Sequence, residues 1–338
     1  MRGTSSRGRS VCIALAIALC ARPSRAEPSE VRISKGYGIL YLPLFVMEER
    51  KLLEKHAKAA GLGDVKVTWR TFDGGNIIND AMLSGALDIA AIGVPGFLTL
   101  WAKAKGNPRL EILGISGMSA TSLYLNTNNP KIKSLKDFTP EDKIAVPGIK
   151  TSLPAVVLHL SAAKELGEEN YASLDPLTVG LPHPDAMVAV VSGKTGVDSH
   201  FASPPFSYLE LDHPGVHRVV NSVDVLGHIT MVMPYTTRRF HDQNPKLNKA
   251  FLAALEEAHE FIRTDKKATA ALYLKASKVK ASEAELLRIL EDPDTRFSTT
   301  PDGVMKFADF MSRVHTINAK PASWKELFFA EVHGLPGS

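Results

Sequence analysis

The sequence predicts an α/β protein: two stretches of mostly parallel sheet covered by helices, followed by an α-rich tail. Three observations predict it. Short apolar runs alternate with helix-patterned segments from residue 31 onward, the same order restarts near residue 121, and one phrase is written twice. The phrase is AMLSGALDIAAIGVPGF at 81–97 and AVVSGKTGVDSHFASPPF at 189–206, in each case a helix end, Ser-Gly, an Asp-led apolar run and a proline turn. Strand and helix taking turns requires crossover connections, which place helices on both faces of a parallel sheet.

In order, VRISKGYG (31–38) reads as a strand and turn, and a helix pattern runs through LYLPLFVMEERKLLEKHAKAAG to Gly61. DVKVTWRTF (64–72) alternates as a half-buried strand does. DGGNIINDAMLSG offers Asn76 as a cap and ends a short helix at Gly85, LDIAAIG is a buried strand, LTLWAKAKG a helix and LEILGIS a strand. The second half repeats this order. TSLYLNT (121–127) and KIAVPG (143–148) are strands, and TSLPAVVLHLSAAKELG is a helix capped by Thr151 and Ser152 with Pro154 in its first turn. LDPLTVGL, the helix HPDAMVAVVSG, the strand VDSHFAS and the strand HITMVMP (228–234) follow. Beyond 244 the pattern turns to helix after helix. Pro245 opens one, and Ser282 with Glu285 forms a capping box at the start of another. No low-complexity linker separates the halves, so the crossings between them are expected near 118–123 and 225–232.

Residues 1–26 read as a cleaved signal peptide. Arg2, Arg7 and Arg9 precede an apolar run of 11 residues, VCIALAIALCA, and small residues Ser24 and Ala26 flank a cut after Ala26. Eleven apolar residues fall short of the roughly 20 needed to span a bilayer. Lipidation at Cys20 is the alternative, although Leu19 before it is larger than a lipoprotein signal prefers. Removal of the segment takes away Cys12, Cys20 and five arginines, leaving 35 basic against 36 acidic residues. Thiol chemistry and cysteine metal sites are thereby excluded, and the whole-chain basic balance gives no support for nucleic-acid binding.

The catalytic motifs fail on spacing. SGKTG (192–196) has Val188 where a phosphate loop needs its first glycine, KGYGIL stops at two glycines, and GISG (114–117) is not a nucleophile elbow. His213 and His217 are four apart, but Pro214 and Gly215 prevent a shared helix face, and no metal site is expected. These two and His183 read as solvated loop histidines; His200 stands apart because it follows Asp198 inside the repeated phrase. The strongest pattern is the gathering of glycines and hydroxyls where strands give way to helices: Gly36, Gly38, Asp73, Gly74, Gly75, Asn76, Gly93, Ser119, Thr121, Ser122, Lys150, Thr151 and Ser152. Helix N-termini there offer unpaired N–H groups that hold small anions.

Over about 31–260 the chain resembles the solute-binding proteins of nitrate, sulfonate and taurine importers, a family that includes binders of thiamine-precursor pyrimidines. The carriers are KGYGILYLPLFVMEERKLLEK, FDGGNIINDAMLSGALDIAAIGVP, KIAVPGIKTSLPAVVLHLSAAKELG and LPHPDAMVAVVSGKTGVDSHFASPPF, taken in that order and spacing. The resemblance implies two doubly wound parallel-sheet lobes joined by a two-crossing hinge, with lobe 1 from 27–120 and 229–338 and lobe 2 from 121–228. It implies a monomeric, periplasmic protein without a cofactor that captures a small polar or anionic organic solute, sulfonate-like first and nitrate or pyrimidine second. The solute would pass to a membrane permease and its ATPase. Ligand contacts would come from Tyr37, Gly38, Gly75, Asn76, Val94, Thr121, Ser122, Thr151, Ser152, Asp198 and His200. Many relatives carry a Trp and an acidic residue where this chain has FASPPF, which argues against a cationic solute. The alternatives are a sensory solute receptor for a membrane kinase or chemoreceptor, or an enzyme of pyrimidine synthesis sharing the fold. The chain after Ala26 lacks the cysteines of that enzyme's motif.

Overall fold

A computed structural model describes residue 3, residues 27–72 and residues 75–338. The signal peptide and Asp73–Gly74 lie outside the described residues. The first sheet holds β1 (Glu30–Lys35), β2 (Lys66–Thr71), β3 (Ile89–Gly93), β4 (Ile112–Gly114) and β5 (Ser119–Ala120). The second holds β6 (Tyr124–Thr127), β7 (Ile144–Val146), β8 (Thr178–Gly180), β9 (Ser199–Ala202) and β10 (His217–Asn221). The chain then returns to the first sheet with β11 (Val232–Thr237) and β12 (Arg296–Phe297). This is the two-lobed α/β architecture the sequence predicts.

Both sheets are built alike. In the first, β2, β1 and β3 are parallel and β11 joins β3 antiparallel. In the second, β8, β7 and β9 are parallel and β6 joins β9 antiparallel. The parallel part of each sheet is therefore three strands, and the strand added beside it is the one that has just crossed from the other lobe.

The helices crossing the parallel strands follow the expected order with local shifts. The single helix expected to Gly61 is two, α1 (Leu42–Arg50) and α2 (Leu52–Ala59). Lys51 between them is left-handed at φ 52°, and its N–H bonds back to Glu48 and Met47 carbonyls, which closes α1. Helix α3 (Gly75–Leu83) leads into β3. Helix α4 (Val94–Ala104) starts at the glycine-proline turn itself, with Pro95 in its first turn, four residues earlier than LTLWAKAKG suggests. In the second lobe α5 (Leu153–Leu166), α6 (His183–Ser192), α7 (Phe206–Leu211) and the short α8 (Ser222–Leu226) cover the sheet.

The tail contains α9 (Arg238–Gln243), α10 (Pro245–Thr264), α11 (Lys266–Ser277), α12 (Glu283–Glu291) and α13 (Val304–Arg313). Buried Leu247, Phe251, Ala254, Leu255, Ala258 and Ile262 make a helical stripe on α10, which packs against α1 and α2. The Ser282–Glu285 capping box is formed, each side chain bonding the other residue's backbone N–H. Among the described residues no helix is long and apolar enough to cross a membrane.

Three segments run together between the lobes. The Met231 N–H donates to Ser119 O at 2.9 Å, Gly117 N–H to Thr299 O at 2.9 Å and Thr230 N–H to Asp302 O at 2.8 Å. The two crossings lie where the sequence places them, and residues 296–302 of the tail are laced to both.

Candidate functional site

A cavity of about 70 Å³ lies between the lobes. It sits at the carboxyl ends of five strands: Gly36 follows β1, Gly93 ends β3, Pro147 follows β7, Pro182 comes just after β8 and Ser203 follows β9. This is where open α/β sheets take their ligands. The lobes are closed over it. The Ile39 N–H donates to Pro204 O at 2.8 Å across the gap. Two glycines permit that approach. A Cβ on Gly93 would meet Leu153 Cβ at 2.6 Å, and one on Gly38, whose φ is +94°, would meet Pro204 O at 2.7 Å.

The N-caps of three helices line the cavity: Gly93 of α4, Ser152 of α5 and Pro182 of α6. Three positive helix ends from both lobes thus converge on one space. Each of these helices has a proline in its first turn, so fewer amides are on offer than at an ordinary helix start. The Ala155 N–H is taken by the Ser152 hydroxyl at 3.3 Å and the Ala186 N–H by Pro182 O at 2.9 Å. Among the described residues, the N–H groups of Leu153 and His183, the first residues of α5 and α6, have no hydrogen-bond partner. No Lys, Arg, Asp or Glu is among the described lining residues. Apolar Leu40, Ile92, Leu123 and Val232 supply much of the wall.

Of the residues the sequence nominates, the structure brings Tyr37, Thr151 and Ser152 to the cavity wall. Gly38 lies against Pro204 and Ser203, so it serves lobe-to-lobe contact. Gly75 and Asn76 begin α3, and their side chains lie outside the described residues. Five further nominated residues lie off the described cavity wall. Val94 is fully buried and its N–H is spent on Met231 O at 3.0 Å, leaving its neighbours Gly93 and Gly96 on the wall. Ser122 donates its hydroxyl to Asp294 at 2.6 Å beside the crossings, and Thr121 is buried next to it; neither reaches the cavity. Asp198 stands at the amino end of β9, the wrong end for a cleft at strand carboxyl ends. There it accepts from Lys143 N–H at 3.1 Å and from the Ser199 hydroxyl at 2.6 Å, and burial raises its carboxyl above the usual range.

His200 is the fifth of these, because it reaches the cavity only through another residue. It is fully buried, and its Nε2 lies 2.8 Å from Nδ1 of His183. His183 is no solvated loop residue. It opens α6, lines the cavity and stacks on the Phe206 ring at 5.6 Å. On the far side, His200 Nδ1 lies 2.5 Å from Oε1 of Glu210, which is also fully buried, and Asn126 donates to the other carboxylate oxygen at 2.9 Å. Burial first, and the neighbouring His200 second, push His183 well below the usual imidazole range. Glu210 was missed because it sits in the helix after the repeated phrase, where FSYLEL reads as an ordinary amphipathic turn. The available signal for His183 was its place just after a strand, followed by a proline.

No protein-family model and no curated sequence matches the chain. Solved structures do. The chain is similar to the alkanesulfonate-binding protein SsuA from Xanthomonas axonopodis pv. citri bound to MOPS, with 18% identity over 87% of this chain and 96% of that one and a TM-score of 0.69. It is similar to the periplasmic nitrate-binding protein NrtA from Synechocystis PCC 6803, with 14% identity over 88% of this chain and 85% of that one and a TM-score of 0.70. A Candida albicans gene product described as having the generic periplasmic binding protein fold aligns over 86% of this chain and 92% of its own, at 14% identity and a TM-score of 0.66. The chain has the periplasmic binding protein fold.

Proposed function

We propose that this chain is the exported solute-binding component of an ABC-type importer, and that it captures a small polar or anionic organic solute in the cavity between its lobes. A sulfonate head group is the first choice, with nitrate or a pyrimidine second. The observation that carries the reading is the convergence of three helix N-caps on a space whose described lining holds no carboxylate. Partial positive charge with no fixed counter-anion favours an oxyanion and disfavours a cation. Size points the same way: the closed cavity of about 70 Å³ is smaller than the ~150 Å³ hole that admits benzene, so it suits a head group of a few heavy atoms. The similar folds of a sulfonate-binding and a nitrate-binding protein add support.

The lobes proposed are residues 27–120 with 229–338, and 121–228, swinging on the crossings. Delivery to a permease and ATPase, and action as a monomer in the periplasm, belong to the same reading. The deciding experiment is isothermal titration with methanesulfonate, taurine, nitrate, sulfate and a pyrimidine. Binding by an oxyanion with micromolar or tighter Kd is expected. Silence towards every oxyanion, with a clear response to a cation or a neutral base, overturns the reading.

A further inference from the structure

Glu210, His200 and His183 form an unbroken line of hydrogen bonds from the interior of the second lobe to the cavity wall, with separations of 2.5 and 2.8 Å. We propose that this line is a two-state relay that reverses the polarity of His183 Nε2 and takes up one proton when an oxyanion is captured. The proposal deepens the reading above and rests on it for the identity of the solute.

The chemistry follows from counting protons. Glu210 has Asn126 Nδ2 donating to Oε2, so its carboxylate accepts at both oxygens and His200 Nδ1 must donate to Oε1. One hydrogen then decides the rest of the chain. When His200 is neutral, its Nε2 is a lone pair and accepts from His183 Nδ1–H. His183 consequently turns a bare Nε2 lone pair to the cavity. When His200 carries one more proton, it is an imidazolium held by the Glu210 carboxylate, and its Nε2–H donates to His183 Nδ1. The His183 proton then resides on Nε2 and points into the cavity. The first state repels an anion's oxygen and the second donates to it, so an oxyanion selects the protonated state. His183 stays a neutral imidazole in both, in keeping with its lowered pKa. The added charge settles on His200, where the carboxylate already waits.

Among the described residues, no other titratable side chain is hydrogen-bonded into this line besides these three. Elements packed on α6 are α7, β9 and β7. From α7 come Glu210 and Tyr208, whose hydroxyl is engaged away from the line by Asp292 at 2.5 Å and Tyr124 at 3.3 Å. Strand β9 contributes His200, and β7, Ile-Ala-Val, contributes none. Helix α6 itself has Asp185 in its first turn. Across the cavity stand Tyr37 and Tyr41, and burial raises the Tyr41 phenol far beyond the working range, so it stays neutral.

Linkage sets the sign. Because the bound state holds the proton more tightly, affinity is constant at low pH and weakens as pH rises past the free protein's titration, by up to about tenfold in Kd per pH unit. The experiment has two arms on the full mature chain. In the first, nitrogen-15 NMR of the free protein follows the histidine tautomers from pH 5.5 to 9. His183 is expected as Nδ1–H at high pH and Nε2–H at low pH, and a tautomer that stays fixed across that range overturns the relay whatever the solute. In the second, methanesulfonate is titrated calorimetrically at pH 8 in buffers of different ionisation enthalpy. Uptake of about one proton per anion is expected, and Glu210→Gln, which keeps the shape but removes the charge that holds the imidazolium, is expected to abolish uptake and weaken binding at least tenfold. Binding without proton uptake in the unaltered protein also overturns the relay. A tautomer switch in a protein that binds no oxyanion sustains the relay and overturns the assigned solute class instead.

Discussion

The two copies of the repeated phrase differ most where they meet the cavity. At the amino ends of their strands they agree. Asp88 leads β3 and accepts from the Arg32 backbone N–H at 2.8 Å, while Asp198 leads into β9 and accepts from Lys143 N–H at 3.1 Å. Each aspartate thus ties its strand to the start of the neighbouring parallel strand. Arg32 adds a bidentate pair to Asp88 that the second copy lacks. At the carboxyl ends the copies part. The first presents bare backbone at Gly93, pressed against Leu153, whereas the second ends on a buried histidine line and Ser203. The difference teaches that the repeated letters are architecture, whereas the unrepeated ones shape the cavity wall and what stands behind it.

The largest test contrasts a histidine from each lobe. His259 on α10 is half-buried with its Nε2 enclosed and without a partner, and burial lowers its pKa to about 4, whereas the fully buried His200 has Glu210 beside it. An unfolded histidine titrates near ~6.5. The folded pKa lies below that, so stability is intact above pH ~6.5 and is lost as pH falls towards 4, at about 1.4 kcal/mol per unit and about 3 kcal/mol in all. Urea unfolding at pH 7, 6, 5 and 4 checks this, and His259→Phe is expected to flatten the slope while leaving solute affinity intact.

Next in size, Gly93→Ala attacks the bare jaw. Its methyl has no room beside Leu153 in the closed form, and overpacking of this kind costs about 1–3 kcal/mol. The cost falls on closure, so Kd for the solute is expected to rise roughly tenfold to a hundredfold while the melting temperature of the free protein barely moves. A variant that melts early but binds normally would show that the cavity forms without this contact.

Asp88→Ala and Asp198→Ala sharpen the architectural half of the comparison. Each leaves a strand-start N–H without its carboxylate, worth about 1–3 kcal/mol, with the larger loss expected at Asp88 because its Arg32 pair goes too. Differential scanning calorimetry is expected to show lower melting temperatures, and calorimetric titration an unchanged Kd. A Kd change of tenfold or more in Asp198→Ala would return that residue to the binding site. The smallest effect is expected for Ser122→Ala, which removes one bond to Asp294 near the crossings. About 0.5–1.5 kcal/mol is at stake, seen as a slight rise in solute off-rate by stopped-flow.

Much of this was legible in the sequence because the alternation of strand and helix is a local signal. The order of elements, the crossings, the Ser282–Glu285 box and the hydroxyl start of α5 all follow from neighbouring residues. The break at Lys51 was not legible, since a lysine carries no left-handed preference. The site was half legible. Ser152 and Thr151 face the cavity because a helix cap after a strand end has one place to go. Asp198 misled because its conspicuous position in the phrase says nothing about which end of the strand meets the cleft. His183 and Glu210 are 27 residues apart in the chain, and only the stacking of α6 and α7 on β9 puts His200 between them.

The tail's lacing between the lobes has a mechanical consequence. A body hung on two strands can twist as well as swing. Here the 296–302 segment is bonded to both crossings, and on either side of it the tail grips the second lobe, through Arg288 on Asp212 before it and Arg313 on Glu168 after it. A door on three aligned pins keeps a single axis. In the proposed swing the second lobe therefore returns each time to the same register, which is what lets Gly93 find Leu153 with no more than a side chain's clearance.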